Sequence, residues 1–200
     1  GLDAAPPRAA LAHMDLGAPL RESNGTTGWW TSELLRRAGL RTRPDFSRTF
    51  IATASRDKWD VDGLKVSDAY RLFHEVVPAT DLGRRGMELT APQRAFVEKS
   101  LPQLLQVSRA AGDLDAGAEV LVSAALLGHR ELPMYRDGIA WVLAWHRGDG
   151  TFRDPNDRSR PFDNPEAHRH RILVSSWALL TSLARPSAAA ARETAPGAKR

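Results

Sequence analysis

Residues 115–127, DAGAEVLVSAALL, are the clearest core helix in the sequence, and they decide its fold class. Small and apolar side chains leave few polar positions in this segment, which indicates a helix in the core. Gly128 follows directly and is typical of a helix stop. The apolar positions are Ala118, Val120, Leu121, Ala124, Ala125 and Leu127.

A second helix is predicted after a short connection. Pro133 starts it, and its apolar residues recur at spacings of three and four, the period of one helix face. These residues are Met134, Gly138, Trp141, Val142 and Trp145. Because the connection is short, the two helices are predicted to form an antiparallel hairpin.

Two helices are predicted before the core helix. Residues 90–93, TAPQ, form a capping box with a proline in the first turn, and this combination starts helices. That helix extends to about Gly112, and Pro102 marks either a kink or a restart. The other helix covers residues 66–77, and Pro78 is predicted to end it.

Three further segments complete the secondary structure. Trp29 and Trp30 open a short helix that Gly39 closes. Residues 50–54 are either one more turn of helix or a lone strand. The last helix covers about 170–183, on an apolar spacing of three and four.

These elements predict an all-α protein with one helical domain over residues 29–185. Residues 1–28 are predicted to be a flexible arm, since prolines, glycines and polar residues dominate them. Residues 186–200 are rich in proline and alanine and are predicted to be a disordered tail.

Composition excludes several classes of protein. The chain of 200 residues contains no cysteine, so disulfides, thiolate metal sites and cysteine nucleophiles are absent, which suits a reducing cytoplasm. No apolar run approaches the roughly 20 residues of a membrane span. We therefore expect a cytoplasmic protein that does not enter membranes.

Half of the net charge of +4 lies in residues 186–200, and the rest is spread thinly. Arginine pairs occur at 36–37 and 84–85, but no basic stripe is interleaved with aromatic residues, as single-strand binding requires. No nucleic-acid partner is predicted.

The densest group of reactive side chains lies in residues 68–86, DAYRLFHEVVPATDLGRRG. His74 precedes Asp81 by seven residues, and the break at Pro78 allows the chain to fold back between them. Asp81 would then fix the tautomer of His74 and make it a general base or acid near neutral pH. We predict His74, Thr80 and Asp81 as catalytic residues; the alternative is that Thr80 and Asp81 only build a turn.

Five residues are predicted to bind substrate. Arg84 and Arg85 suit a carboxylate, phosphate or pyrophosphate group through paired hydrogen bonds, although such a pair is also common in solvated loops. Three aromatic residues are predicted to line the rest of the pocket: Trp145, His170 and Trp177.

A metal site is the alternative use of these histidines. His168 and His170 would supply ligands together with His74 and Asp81, but no helical pair of histidines supports this. We predict neither a metal nor a cofactor.

The C-terminal half resembles the helical repeats of α/α-toroid proteins, the fold of terpenoid cyclases and prenyltransferases. The matching residues are Trp141, Trp145, His146, residues 149–152 (DGTF), His170, Leu173 and Trp177. The resemblance implies a truncated or incomplete α/α-toroid. The aspartate-rich motifs of terpene cyclases and the thiolate zinc ligand of toroid prenyltransferases are absent, so neither chemistry is transferred.

Residues 68–183 look like an uncharacterised helical family from actinomycete gene clusters for specialised metabolites. The residues that carry this resemblance are His74, Val76, Thr80, Asp81, Gly83, Arg84 and Arg85. It implies a natural-product context but no particular activity.

Two functions follow from the residues and the resemblance together. The first is a small enzyme of specialised metabolism that performs an acid/base-assisted cyclisation, elimination or isomerisation without a redox cofactor. The second is a non-catalytic accessory module that holds a peptide or a pathway protein partner on a concave helical face. The ligand is accordingly a small molecule or a peptide.

Overall fold

A computed structural model describes residues 49–153 and 165–183, together with Thr31, Leu35 and Ser47. The chain divides into two compact units, residues 1–59 and 60–200. The predicted arm 1–28 and tail 186–200 lie outside the described residues, as does most of the helix predicted from Trp29 to Gly39, of which Thr31 and Leu35 are helical.

The described residues are helical, as the sequence predicts. They contain six α-helices and no β-strand, apart from a single bridge between His146 and Phe152. The helices are α1 (Phe50–Arg56), α2 (Val66–Ala79), α3 (Ala91–Ala111), α4 (Leu114–Leu126), α5 (Pro133–Ala144) and α6 (Pro165–Leu183).

Helix α1 belongs to the first unit and resolves the open alternative at residues 50–54. Phe50, Ile51, Ala52 and Ala54 are buried, which is the spacing of a helix face. The ring of Phe50 packs edge-on against Trp59 at 6.0 Å between centroids. The segment is therefore a helix and not a strand.

The second unit is organised around α4. This helix packs against all four other helices of the unit, α2, α3, α5 and α6. Eleven of its residues are buried, consecutively from Ala116 to Ala125 in addition to Leu114. The prediction that this segment is the core helix is confirmed.

Two glycines permit the close packing of α4 and α5. A Cβ at Gly117 would collide with the ring of Trp141, and a Cβ at Gly138 would lie 2.5 Å from Cδ2 of Leu121. Both glycines are buried, and a side chain at either one would require the neighbouring side chain to move.

Helices α2 and α4 run in the same direction. Tyr70, in the second turn of α2, contacts Asp113 at the start of α4. Gly83, just beyond the end of α2, lies against Leu126 at the end of α4. The first turns of both helices therefore lie at the same end of the unit.

Several predicted boundaries change by a few residues. Asp113 is the N-cap of α4, because its side chain accepts a hydrogen bond from the backbone N–H of Ala116. Pro78 lies in the last turn of α2, which ends one residue later at Ala79. Helix α3 continues through Pro102, and α6 begins at Pro165 instead of His170.

The capping box of α3 is present as predicted. The Thr90 hydroxyl accepts from the backbone N–H of Gln93, and the Gln93 side chain accepts from the backbone N–H of Thr90. Gly112 ends α3 in the left-handed region, with φ of 65°. No helix in the described part of the chain has the length and apolar character needed to cross a bilayer.

Candidate functional site

Three carboxylates lie on the first two turns of α4. Asp113 caps the helix, and its two oxygens lie 3.1 and 3.0 Å from the hydroxyl of Tyr70 on α2. Asp115 and Glu119 follow at a spacing of four, which places them on one face of the helix. We call Asp113, Asp115 and Glu119 the acid cluster.

Glu119 is the most unusual member of the acid cluster. Its side chain is fully buried, and within the described residues neither carboxylate oxygen has a hydrogen-bond partner. Burial raises its pKa from 4.5 to about 9, and repulsion from Asp115 and Asp113 adds to this shift. Glu119 is therefore protonated at neutral pH.

His170 on α6 connects the two carboxylates that follow the cap. Its Nδ1 lies 3.6 Å from Oδ2 of Asp115, and its Nε2 lies 3.6 Å from Oε1 of Glu119. Its side chain is 55% exposed, whereas that of Glu119 is inaccessible. The imidazole therefore lies between the buried acid and solvent.

Arg171 supplies a positive charge beside Asp115. Its Nε lies 3.5 Å from Oδ1 of Asp115, and another guanidinium nitrogen lies 3.0 Å from Nδ1 of His168. Burial raises the pKa of Asp115, while the nearby Arg171 and His170 oppose that shift. Asp115 is thus held closer to its ionised form than Glu119 is.

Helix α2 contributes Tyr70 and His74 from one face, four residues apart. Burial and the charge of Asp113 raise the pKa of Tyr70, so its hydroxyl stays protonated and donates to Asp113. Burial first and the nearby His170 second lower the pKa of His74. His74 is therefore neutral near pH 7 and able to accept a proton.

An aromatic pair borders these groups. Phe73 packs edge-on against His74 at 5.6 Å and against Trp177 of α6 at 5.9 Å between ring centroids. Phe73 itself is buried. The site thus combines titratable groups from α2, α4 and α6 with an aromatic wall.

Comparison with known families gives one match. The family described as Domain of unknown function (DUF6895) matches residues 12–193. The chain belongs to this family. No curated protein and no solved structure shows significant similarity to this DUF6895 chain. This match confirms the expected resemblance to an uncharacterised family.

The structure brings together three of the residues predicted from the sequence of this DUF6895 chain. His74 lies close enough to His170 for the second histidine to lower its pKa, and Phe73 links His74 to Trp177. These three come from α2 and α6, which are far apart in sequence. His74 and His170 are the part of the prediction that the proposed site retains.

The other predicted catalytic residues lie in the turn after α2. The Thr80 hydroxyl is buried, within hydrogen-bond distance of the carbonyls of Val76 and Val77, and it accepts from the backbone N–H of Gly83. Asp81 has a positive φ of 51°. Among the described residues, the titratable side chain that shifts the pKa of His74 is His170 and not Asp81.

The predicted anion-binding arginines also belong to this turn. Arg84 lies 3.8 Å from the Asp81 carboxylate, and Arg85 donates to the carbonyl of Ala79. Both side chains are exposed. These contacts hold the turn together, and they orient neither arginine towards the acid cluster.

Trp145 lies at the end of α5, in a tight turn with His146 and Phe152. Its carbonyl accepts from the backbone N–H of Arg153, and a bridge pairs His146 with Phe152. Asp149 stabilises the turn by accepting from the backbone and hydroxyl of Thr151. Phe152 of this turn is buried.

Sequence reasoning missed the acid cluster, Tyr70 and Arg171. One signal for the cluster was available, because Glu119 is a lone acid inside the apolar run 116–127. An acid at such a position is rarely buried without a purpose or a partner.

Within residues 49–153 and 165–183, no three His, Asp or Glu side chains are arranged to hold a metal ion.

Asp113 is expected to contribute more to stability than an ordinary helix cap. Asp113→Ala removes the α4 cap, worth about 1 kcal/mol, and the Tyr70 hydrogen bond, worth about 1 kcal/mol more. Urea denaturation of this variant should show a loss of about 2 kcal/mol. Thr90→Ala, which removes only a cap, is the control; equal losses in the two variants would mean that the Tyr70 contact contributes nothing.

Proposed function

We propose that this DUF6895 protein is a small enzyme that moves protons on a small-molecule substrate, with Glu119 as general acid and His74 as general base. The reaction class is a cyclisation, elimination or isomerisation, none of which requires a redox cofactor. His170 connects Glu119 to solvent and returns protons to it.

One observation carries this proposal. The environment shifts the pKa of Glu119 up to about 9 and the pKa of His74 down. Two groups whose pKa values are displaced in opposite directions at one site are the arrangement that acid/base enzymes use, because one is kept protonated and the other unprotonated at neutral pH. Glu119 is fully buried, which also strengthens its electrostatic interactions with a bound ligand, whereas His74 is exposed on α2.

The geometry of His170 supports its role as a proton carrier. Each imidazole nitrogen faces a different carboxylate, at 3.6 Å from Asp115 and from Glu119. Imidazole can take a proton on one nitrogen and release one from the other. His170 is half exposed, so it can exchange protons with water while Glu119 stays buried.

The finer fold assignment is part of the same proposal. Alternate helices contact each other, α2 with α4, α4 with α6, and α3 with α5. This alternation supports a segment of an α/α-toroid, in which successive helices alternate between two layers. A place in a pathway of specialised metabolism in actinomycetes is proposed from the resemblance carried by the motif from His74 to Arg85, and a cytoplasmic location is proposed with it.

The test is deuterium transfer in a mixture of small molecules. Purified protein is incubated with fractionated metabolite extracts in D2O, and mass spectrometry detects deuterium gained at carbon or loss of a small leaving group. Isomerisation is detected as well, because proton transfer through solvent labels a product whose formula is unchanged. The wild-type protein should label or convert specific compounds, whereas His74→Ala and Glu119→Gln should lose at least a hundredfold of that rate.

The control is Glu131→Gln, an exposed acid that precedes α5. It makes the same chemical change away from the acid cluster and should keep full activity. If the wild-type protein labels no compound, or if His74→Ala and Glu131→Gln behave alike, proton-transfer catalysis at this site is excluded.

A non-catalytic binding module is the second candidate, and the surface of α6 favours it. Leu173, Leu180 and Leu183 are 62, 65 and 80% exposed, and the first two share a helix face. A peptide or pathway protein with an apolar helix would cover them. Replacing Leu173 and Leu180 with serine should then abolish a reconstituted complex that Glu119→Gln leaves intact.

A further inference from the structure

Buried carboxyl oxygens in the interior of the site lack hydrogen bonds among the described residues, and Nε of Arg171 lies 3.5 Å from one of them. Both oxygens of Glu119 and Oδ1 of Asp115 are buried and lack a hydrogen-bond partner among the described residues. Buried carboxylate oxygens are normally satisfied, because leaving them unpaired costs free energy. A ligand that brings several N–H donors would satisfy them.

The charge balance of the site points in the same direction. Asp113 and Asp115 contribute two acidic side chains, and Arg171 contributes one basic side chain, whose Nε lies 3.5 Å from Oδ1 of Asp115. Tyr70 is neutral and already donates its hydroxyl to Asp113. One further positive charge would balance the pair of aspartates.

His170 marks the position where such a charge fits. Its two nitrogens lie 3.6 Å from Asp115 and from Glu119, which is longer than a hydrogen bond to either carboxylate. A cationic nitrogen between the same oxygens would make charge-assisted bonds of about 2.7–2.9 Å to both. The half-exposed imidazole can turn outwards to admit it.

The border of the site also suits a cation. Phe73 and Trp177 form an edge-on aromatic pair next to His74. Aromatic faces attract positive charge, and an aromatic ring on the ligand would pack against them as well. The wall therefore favours an amine attached to an aromatic or otherwise apolar body.

We infer that the group recognised at the acid cluster is a basic nitrogen, and that the ligand is a small apolar or aromatic amine bound as an ammonium between Asp115 and Glu119. This inference rests on the proposed function, because it names the substrate class of the same site. Proton transfer from the Glu119 carboxyl to an entering amine nitrogen leaves a carboxylate paired with an ammonium, so the proton is conserved.

The pH dependence of binding follows from this exchange. Without ligand, Glu119 keeps its proton up to about pH 9, whereas the bound ammonium requires it ionised. Affinity should therefore rise with pH, by up to tenfold per unit, until that pKa is reached. The groups that act on or face Glu119 are Asp113 and Asp115 on α4, His170 on α6 and Tyr70 on α2. Arg171 lies beside Asp115, and His74 is influenced by His170. Glu75, fully buried on α2, has an interaction partner.

Three probes of similar shape test the inference: benzylamine, benzyl alcohol and benzoate. Each is titrated into the full chain in phosphate and borate buffers from pH 6 to 9, and dissociation constants are measured by NMR shifts of the His74 and His170 imidazoles. Benzylamine should bind at least tenfold more tightly than the other two. Its dissociation constant should fall with pH in the wild-type protein.

Variants locate the bound amine. Glu119→Gln and, as an independent second change, Asp115→Asn should each weaken benzylamine at pH 8 by at least tenfold, and Glu119→Gln should remove the pH dependence. Glu131→Gln should bind as the wild type does. Equal affinity for benzyl alcohol, tighter binding of benzoate, no binding of any probe, or benzylamine binding that both variants retain would each overturn the inference.

These outcomes are separate from failure of the proposed function. The pKa of Glu119 in the ligand-free protein is measured by carbon-13 NMR of labelled glutamate. A raised pKa and deuterium transfer without amine selectivity would remove only the inference about the ligand. An ordinary pKa for Glu119 would remove the proposed function as well.

Discussion

Glu119→Gln is expected to stabilise the protein at pH 7 by roughly 3 kcal/mol. In the folded state the pKa of Glu119 is raised to about 9, from an ordinary value of 4.5. Between these two pH values the unfolded chain has lost the proton and the folded chain retains it, so each pH unit costs the folded state about 1.4 kcal/mol. Glutamine has nearly the shape of the protonated acid and carries no proton to lose.

The direction of the pKa shift determines the pH range over which the stabilities of the two proteins diverge. Below about pH 4.5 both states are protonated and Glu119 contributes no pH dependence. Stability of the wild-type protein relative to Glu119→Gln then falls continuously to about pH 9 and changes no further above it. The two proteins should therefore be most similar near pH 5 and most different near pH 9.

Urea denaturation at pH 5, 7 and 9 measures this difference. Glu131→Gln is the control and should follow the wild-type protein at every pH, because its acid is exposed. A difference in stability between Glu119→Gln and the wild type that is the same at all three pH values would show that folding does not raise the pKa of Glu119.

Leu121→Ala is expected to destabilise the second unit by about 3–5 kcal/mol. Leu121 is fully buried in α4, and its methyl groups fill the space above Gly138 of α5. Removing them leaves a cavity where the two helices meet. The loss should appear as a lower midpoint of denaturation.

A second substitution, at the glycine that Leu121 packs against, makes this prediction specific to the contact between α4 and α5. Gly138→Ala alone should cost about 1–3 kcal/mol, because its Cβ would lie 2.5 Å from Cδ2 of Leu121. In the double variant the new methyl group enters the space that Leu121 vacated. The combined loss should therefore be smaller than the sum of the two by about 1 kcal/mol or more.

Gly63→Ala is the matched control for the glycine change. No atom lies within 4 Å of a Cβ at this position, so its effect should stay within about 1 kcal/mol. Strict additivity of Leu121→Ala and Gly138→Ala would show that these two residues do not share one space between α4 and α5.

The helices were predictable because their signals are local. The capping box at residues 90–93, the apolar run before Gly128 and the spacing of apolar residues after Pro133 each act within one or two turns. The errors are local too. Pro78 lies inside the final turn of α2, which ends at Ala79 and not before the proline.

The candidate site was predictable only in part. His74 and His170 stood out as titratable residues at the ends of apolar patterns, but the sequence paired His74 with Asp81, seven residues away. In the structure the turn at Thr80 and Asp81 satisfies its own hydrogen bonds. The titratable neighbour that shifts the pKa of His74 is instead His170, almost a hundred residues further along the chain.

The sequence by itself determined an all-helical protein and the positions of its helices, because capping and periodicity depend on neighbouring residues. Only the tertiary structure decided the chemistry of Glu119. Packing of α2 and α6 against α4 removes water from that carboxyl and places Asp115 and His170 beside it. Desolvation by distant segments changes the pKa of the acid, and no local pattern records it.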